Sequence, residues 1–212
     1  MGGVTINVKN SVSFFCKLKI PAMKDEFFIQ EILQKGNEAK QKVKAEFSQL
    51  TTTQLNWKPG VESWSIGQCL DHLIIADCLY FPALKKITEK RLEMTFWETW
   101  NPLSSLFGKM LATQIKEKPT KKMIAPEVFL PTQSNIDLEI LERFHKHLDS
   151  LLEYIAGCSR LNIDKIHITS PVSKLITFSV RNALLLLIQH EHRHINQAIK
   201  VKKTKEFPLQ AN

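Results

Sequence analysis

His190 and His194 stand four residues apart in a stretch of helical period, so they project from one face, one turn above the other. The stripe that contains them, Ala183, Leu187, His190, His194, Gln197 and Val201, is spaced 4, 3, 4, 3, 4 and is otherwise mostly apolar. That face must point inward. His72 holds the matching place in a second stripe, Cys69, His72, Ala76, Leu79 and Ala83. Neutral imidazoles are nitrogen donors, and three of them converging leave a further coordination position open. Such a set suits catalytic zinc, or nickel and similar borderline metals. An isolated histidine pair is equally well explained by hydrogen bonds in a core. Three inward histidines each need a separate buried partner, whereas one ion satisfies them all.

The remaining polar candidates rank lower. His192 points to the opposite side of its helix. His145 and His147 flank Lys146 beside an apolar stripe and are expected on a solvated edge, and His167 falls in a loop. The string His190 to His194 also matches H-E-x-x-H, in which Glu191 would be the general base of a zinc protease. Only 18 residues follow His194, none of them histidine, and no nearby strand offers to hold a peptide. Glu191 is therefore expected at the surface. Gln68 lies one turn before His72 and Gln197 one turn after His194, placing both as candidates to orient a ligand or a water behind the metal. Gln68 has a competing role in a helix cap. Asp71 and Asp77 are poorer in phase.

The elements that must position these residues are four helical segments, with nothing that reads as a sheet. The first runs from about Asp25 to Leu50 with Ile32, Gly36, Ala39, Val43, Phe47 and Leu50 on one stripe. The second starts at Ser65, where Ser65 and Gln68 form a capping box and Trp64 staples back onto Cys69. The third starts near Ser134, with Asp137 completing a box, and presents Leu141, Phe144, Leu148, Leu151, Leu152 and Ile155. The fourth runs from about Phe178 to Lys203. The expected fold is all-α, a four-helix bundle with a long connection, Thr95 to Pro131, between the second and third helices. That connection carries Trp97, Trp100, a helical patch near Leu103 to Leu111 and a basic loop with Lys116, Lys118, Lys121 and Lys122. Its aromatic residues, with Phe107, either cover the mouth of the site or form a satellite cluster.

With 212 residues, 43% hydrophobic and 24% charged, the chain fits one domain and excludes disordered and fibrous classes. Met23 opens directly into helical sequence, so residues 1–22 are read as an extension and 23–212 as the domain. The net charge of +8 is spread over several helix faces and a C-terminal cluster at Lys200, Lys202, Lys203 and Lys205 without interleaved aromatics. Solvated faces are expected, and neither nucleic acid nor membrane as a partner. Cys16, Cys69, Cys78 and Cys158 form no C-x-x-C pair, which points to reduced thiols and a cytoplasmic setting, with Cys69 as core packing.

Trp64-Ser65, Asp71-His72-Leu73 and His190-x-x-Arg193-His194-x-x-Gln197, in that order, resemble the DinB/YfiT-like superfamily over about Asp25 to Lys203. The resemblance implies a four-helix bundle whose three histidines hold zinc or nickel, here His72, His190 and His194. It also implies, by analogy with some members, transfer reactions that use a low-molecular-weight thiol. The expected activity is thus a metal-dependent thiol S-transferase acting on a small molecule. The alternatives are a metal-dependent hydrolase or a non-catalytic metal- or ligand-binding bundle. A small-molecule substrate and, at most, a second copy of the chain are the expected partners.

Overall fold

The computed structural model describes residues 12–104, 127–131 and 133–208, and in the first helix the side chains from Asp25 onward. Phe107, the basic loop at Lys116 to Lys122 and most of the patch expected over Leu103 to Leu111 lie outside the described residues, as does the side chain of Cys16. Helix α1, Val12–Phe47, begins earlier than its stripe, inside the stretch read as an extension. Ile32, Ala39, Val43 and Phe47 have no exposed surface, because a 3–4 spacing of apolar residues keeps one side of the helix facing its neighbours.

A short helix, α2 (Thr52–Asn56), follows with a capping box between Thr51 and Gln54. Helix α3, Ile66–Cys78, opens with the expected box: Gln68 N–H donates to Ser65 Oγ, and Ser65 N–H returns to Gln68 Oε1. The second helix does not continue to Ala83. It stops at Cys78, and α4 (Phe81–Thr88) restarts with Pro82 in its first turn. Pro82 has no N–H to extend the ladder and disfavours helical backbone in the residue before it, which breaks the helix here. The stripe is lost beyond the break: Leu79 is exposed and Ala83 half-buried.

Helix α5 (Phe96–Trp100) and a 3₁₀ turn (Glu127–Phe129) belong to the long connection. Helix α6 spans Glu139–Gly157 and begins five residues later than its sequence signal. Asn56 accounts for the delay. Its side chain accepts from Ile136 N–H and donates to Ile136 C=O, both at 2.7 Å, which ties up the backbone groups a helix there would need.

The all-α expectation is corrected by a small antiparallel hairpin, β1 (His167–Ser170) with β2 (Ser173–Ser179). Ile168 faces Phe178 across the register, and both are buried at 1% exposure. The β-branched residues of Ile168-Thr169 and Ile176-Thr177 are the strand signal, interrupted by a turn at Pro171. His167 thus lies in a strand and not a loop. Helix α7, Val180–Lys202, follows directly, with Ser179 Oγ capping Asn182 N–H.

The described chain is mostly helical, seven α-helices with one small hairpin, as a helical bundle requires. Helices α1 and α3 each pack against both α6 and α7. The core between them includes Leu70, Leu73, Phe144, Leu148, Leu184 and Ile195, all without exposed surface. Among the described residues no helix is long and apolar enough to cross a membrane.

Candidate metal centre

His72 on α3 and His190 and His194 on α7 meet where these two helices pack. One nitrogen from each lies within 4.8 Å of the others, and the ring centroids are 4.5 to 4.9 Å apart. Nε2 of His72 is 3.1 Å from Nε2 of His190. Two nitrogens bound at about 2.0–2.1 Å to one tetrahedral ion stand roughly 3.3 Å apart, so this spacing already fits a shared zinc-like ion. His72 and His194 are buried and His190 partly so.

The surroundings favour the donor form of each ring. His72 Nδ1 donates to the Phe129 carbonyl at 2.6 Å, which fixes the tautomer and leaves Nε2 with its lone pair. Burial pushes His190 well below the ordinary histidine value, helped by the other two rings and by Arg193. Burial pushes His194 down to about 3, with His72 and Arg193 adding to it and the nearby Gln197 offsetting it slightly. His72 is also lowered, chiefly by burial, with the Phe129 bond opposing. All three are neutral at pH 7, as a metal ligand must be. His194 Nδ1 is buried without a hydrogen-bond partner, an orphan that an ion or a water would satisfy. The donor set and this orphan both fit a divalent metal.

Trp64 closes one flank. Its ring lies 4.7 Å from that of His72 and 5.8 Å from that of His194, a placement that the stapling role expected for it does not require. Of the two glutamines, Gln197 sits beside His194. Gln68 spends its amide on Ser65 N–H and on the Gln133 carbonyl at 3.2 Å. Cys69 is buried in the core, which pushes its thiol up to about 12, so it offers no thiolate at neutral pH.

Two expectations fail elsewhere on α6 and α7. Glu191 is not at the surface but wholly buried, and His147, expected on a solvated edge, is 7% exposed. Both meet Asp77, whose Oδ2 is 3.3 Å from His147 Nε2. As ions, Glu191 and Asp77 find no donor for Glu191 Oε1 and Oε2 or for Asp77 Oδ1. Burial pushes the Glu191 carboxyl well above the usual carboxylate range, with the Asp77 charge and a hydrogen bond to Asp77 adding to it. His145 is half-buried, and His192, pointing away as expected, bonds the Lys35 carbonyl at 3.0 Å.

The tryptophans of the long connection do not reach the histidines. Trp97 Nε1 donates to the Leu175 carbonyl at 3.2 Å, and Glu98 accepts from Thr169 N–H and Oγ1–H at 2.9 Å, so α5 rests on the hairpin. Trp100 is 70% exposed. Among the described residues neither expectation is met in full, since Trp97 only rests on the hairpin and Trp100 and Phe96 stay largely in solvent. The 3₁₀ turn at the far end of the connection, through Phe129, is the part that touches the site.

The family model of the DinB superfamily matches residues 37–198, a span that holds all three histidines. The chain belongs to the DinB superfamily. It is also similar to the uncharacterized protein YuaE of Bacillus subtilis (strain 168), at 24% identity over 184 residues covering 79% of this chain and 94% of YuaE. No solved structure gives a significant match. For this DinB member the sequence motifs and the convergence of His72, His190 and His194 point the same way.

Proposed function

We propose that this DinB-superfamily chain is a four-helix-bundle metalloprotein in which His72, His190 and His194 hold one zinc or nickel ion, and that it transfers a group to or from a small thiol. The observation that carries the reading is the approach of three neutral imidazoles, two of them with facing Nε2 atoms at 3.1 Å. A divalent ion bound there lowers the pKa of a thiol that reaches it, supplying a nucleophile at neutral pH. The chain's own residues orient the donors. The Phe129 carbonyl holds the His72 tautomer, Trp64 shields one flank, and burial, aided by the Arg193 charge, keeps the three rings from taking protons. Since the Cys69 thiol is pushed up to about 12, the reacting sulfur comes from a co-substrate and not from that residue. A small-molecule substrate, a cytoplasmic setting and at most self-association complete the proposal.

Elemental analysis of untagged protein tests the metal, with close to one zinc or nickel per chain at these histidines as the expected result. Protein that arrives metal-free and cannot be reloaded overturns the reading. A panel of cellular thiols added to cobalt-substituted protein tests the chemistry. A changed visible spectrum supports thiol transfer, and a spectrum indifferent to every thiol leaves a metal-dependent hydrolase or a non-catalytic bundle.

A further inference from the structure

The H-E-x-x-H string places Glu191 next to a metal-ligand candidate, yet one residue along a helix is a turn of about 100°. Glu191 therefore leaves the three-histidine group and enters a different cluster, with Asp77 from the last turn of α3 and His147 from α6. We propose that Asp77, His147 and Glu191 form a second divalent-cation site, fully buried, that clamps α3, α6 and α7 together.

Geometry carries this first. One ligand atom from each residue lies within 4.8 Å of the others. Two atoms bound at about 2.0–2.2 Å to one tetrahedral ion stand roughly 3.4 Å apart, and Asp77 Oδ2 and His147 Nε2, at 3.3 Å, already have that spacing. Asp77 and Glu191 have no exposed surface, and three of their four carboxylate oxygens have no hydrogen-bond donor. Unpartnered carboxylates in a dry interior are costly, and removing the cost requires a cation or a proton. Two carboxylates with a neutral imidazole carry the charge that one divalent cation cancels.

His147 is prepared for the role. Its ring stacks on Phe81 at 5.1 Å with 10° between the planes, and its Nδ1 faces Cys78 Sγ at 3.8 Å. In the metal-free chain Nε2–H donates to Asp77 Oδ2 at 3.3 Å, and a shift of the proton to Nδ1, toward that weak acceptor, would free the Nε2 lone pair for a cation. Two oxygens and one nitrogen make a harder donor set than three imidazoles. Manganese or ferrous iron suits it better than nickel, and zinc suits both sites. With every ligand buried and no open side, the site is structural. It does not depend on the reading of the three-histidine centre.

The test is metal stoichiometry in the full-length, untagged chain. Protein is stripped, dialysed against zinc and manganese(II) together, washed, and its total metal counted per chain. Two equivalents are expected in the parent and one in each of Asp77→Asn, His147→Gln, Glu191→Gln and His72→Ala. Far-UV circular dichroism reports folding, and three separate substitutions in the cluster keep the count informative if one of them fails to fold. A parent with one equivalent that Asp77→Asn and His147→Gln retain overturns the second site and leaves a shared proton between Asp77 and Glu191. A parent with one equivalent that survives His72→Ala but not Asp77→Asn supports the second site while overturning the three-histidine reading.

Discussion

Nδ1 of His72 and the carbonyl oxygen of Phe129 are 2.6 Å apart across 57 residues of sequence. This bond ties the end of the long connection to a side chain on α3, and it decides which nitrogen of His72 faces His190. The candidate metal site, built from helices, is therefore positioned in part by a turn that contributes only its backbone. Substitution of Phe129 cannot remove the acceptor, whereas a proline at Leu130 or a deletion in this turn would displace it.

His194→Ala should lower metal affinity by at least about 100-fold, because one of three donors is lost. His192→Ala removes only a hydrogen bond to the Lys35 carbonyl, so it should cost about 1 kcal/mol of stability and leave metal affinity unchanged. Competition with a chromogenic chelator measures the first effect and urea unfolding the second. Equal affinity losses in the two variants would mean that α7 is misphased.

Trp64 should report the metal. Its ring is within 6 Å of two of the three histidines, while Trp97 and Trp100 lie on α5 against the hairpin. Loading with cobalt or nickel should quench fluorescence in the parent and in Trp97→Phe and Trp100→Phe, but much less in Trp64→Phe. Quenching that survives Trp64→Phe would place the ion elsewhere.

Metal-free protein should lose stability on acidification through the histidine range. His194 is held at about 3 in the folded chain against 6.5 for the unfolded one, so between these values the unfolded state binds more protons. Stability therefore rises with pH across that window, by up to about 5 kcal/mol for this residue, and is complete above 6.5. His72 and His190 are shifted in the same direction and steepen the slope. Chemical denaturation at pH 4.5 to 7.5 in chelator measures it, and His194→Gln should flatten it.

Glu191→Gln should act with opposite sign in the two metal states. In metal-free protein a carboxyl that burial pushes well above the usual range becomes a neutral amide, which can donate to Asp77 at any pH. The raised carboxyl costs stability as pH climbs above its unfolded value, so the variant should be steadier at pH 8 by about 1–3 kcal/mol. With both metals loaded, the same change should lower the melting temperature. Thermal melts with and without chelator check the reversal.

Gly67→Ala tests the ground on which α3 starts. A Cβ there would stand 2.9 Å from Ile136 Cβ and 3.2 Å from Leu55 Cγ, and a Cβ atom cannot swing aside as a side-chain tip does. The overpacking should cost about 1–3 kcal/mol, less the roughly 1 kcal/mol that alanine gains in helix propensity. Urea unfolding gives the net loss, which no change in midpoint would refute.

The three histidines were legible because a helix repeats every 3.6 residues and two inward stripes carried imidazole where aliphatic carbon was due. The Ser65–Gln68 box was equally local. Glu191 was not, because α7 packs against both α1 and α3, so its buried arc is wider than one stripe and takes in a residue about 100° away. His147 did have a signal: it is three residues after Phe144 and four before Leu151, on the buried stripe itself, but its neighbours His145 and Lys146 drew it toward solvent. The break at Pro82 was readable from the proline alone. The late start of α6 was not, since it depends on Asn56, 80 residues earlier in the chain.

The pairing of His72 with His190 spans 118 residues. A chain leaving the ribosome carries His72 out long before the helix that bears the other two donors has been made. On the proposed reading, no nascent fragment lacking α7 would hold the ion at full affinity, and metal capture would come late, after the helices have found one another. An ion held there would lock a finished bundle; it would not nucleate one.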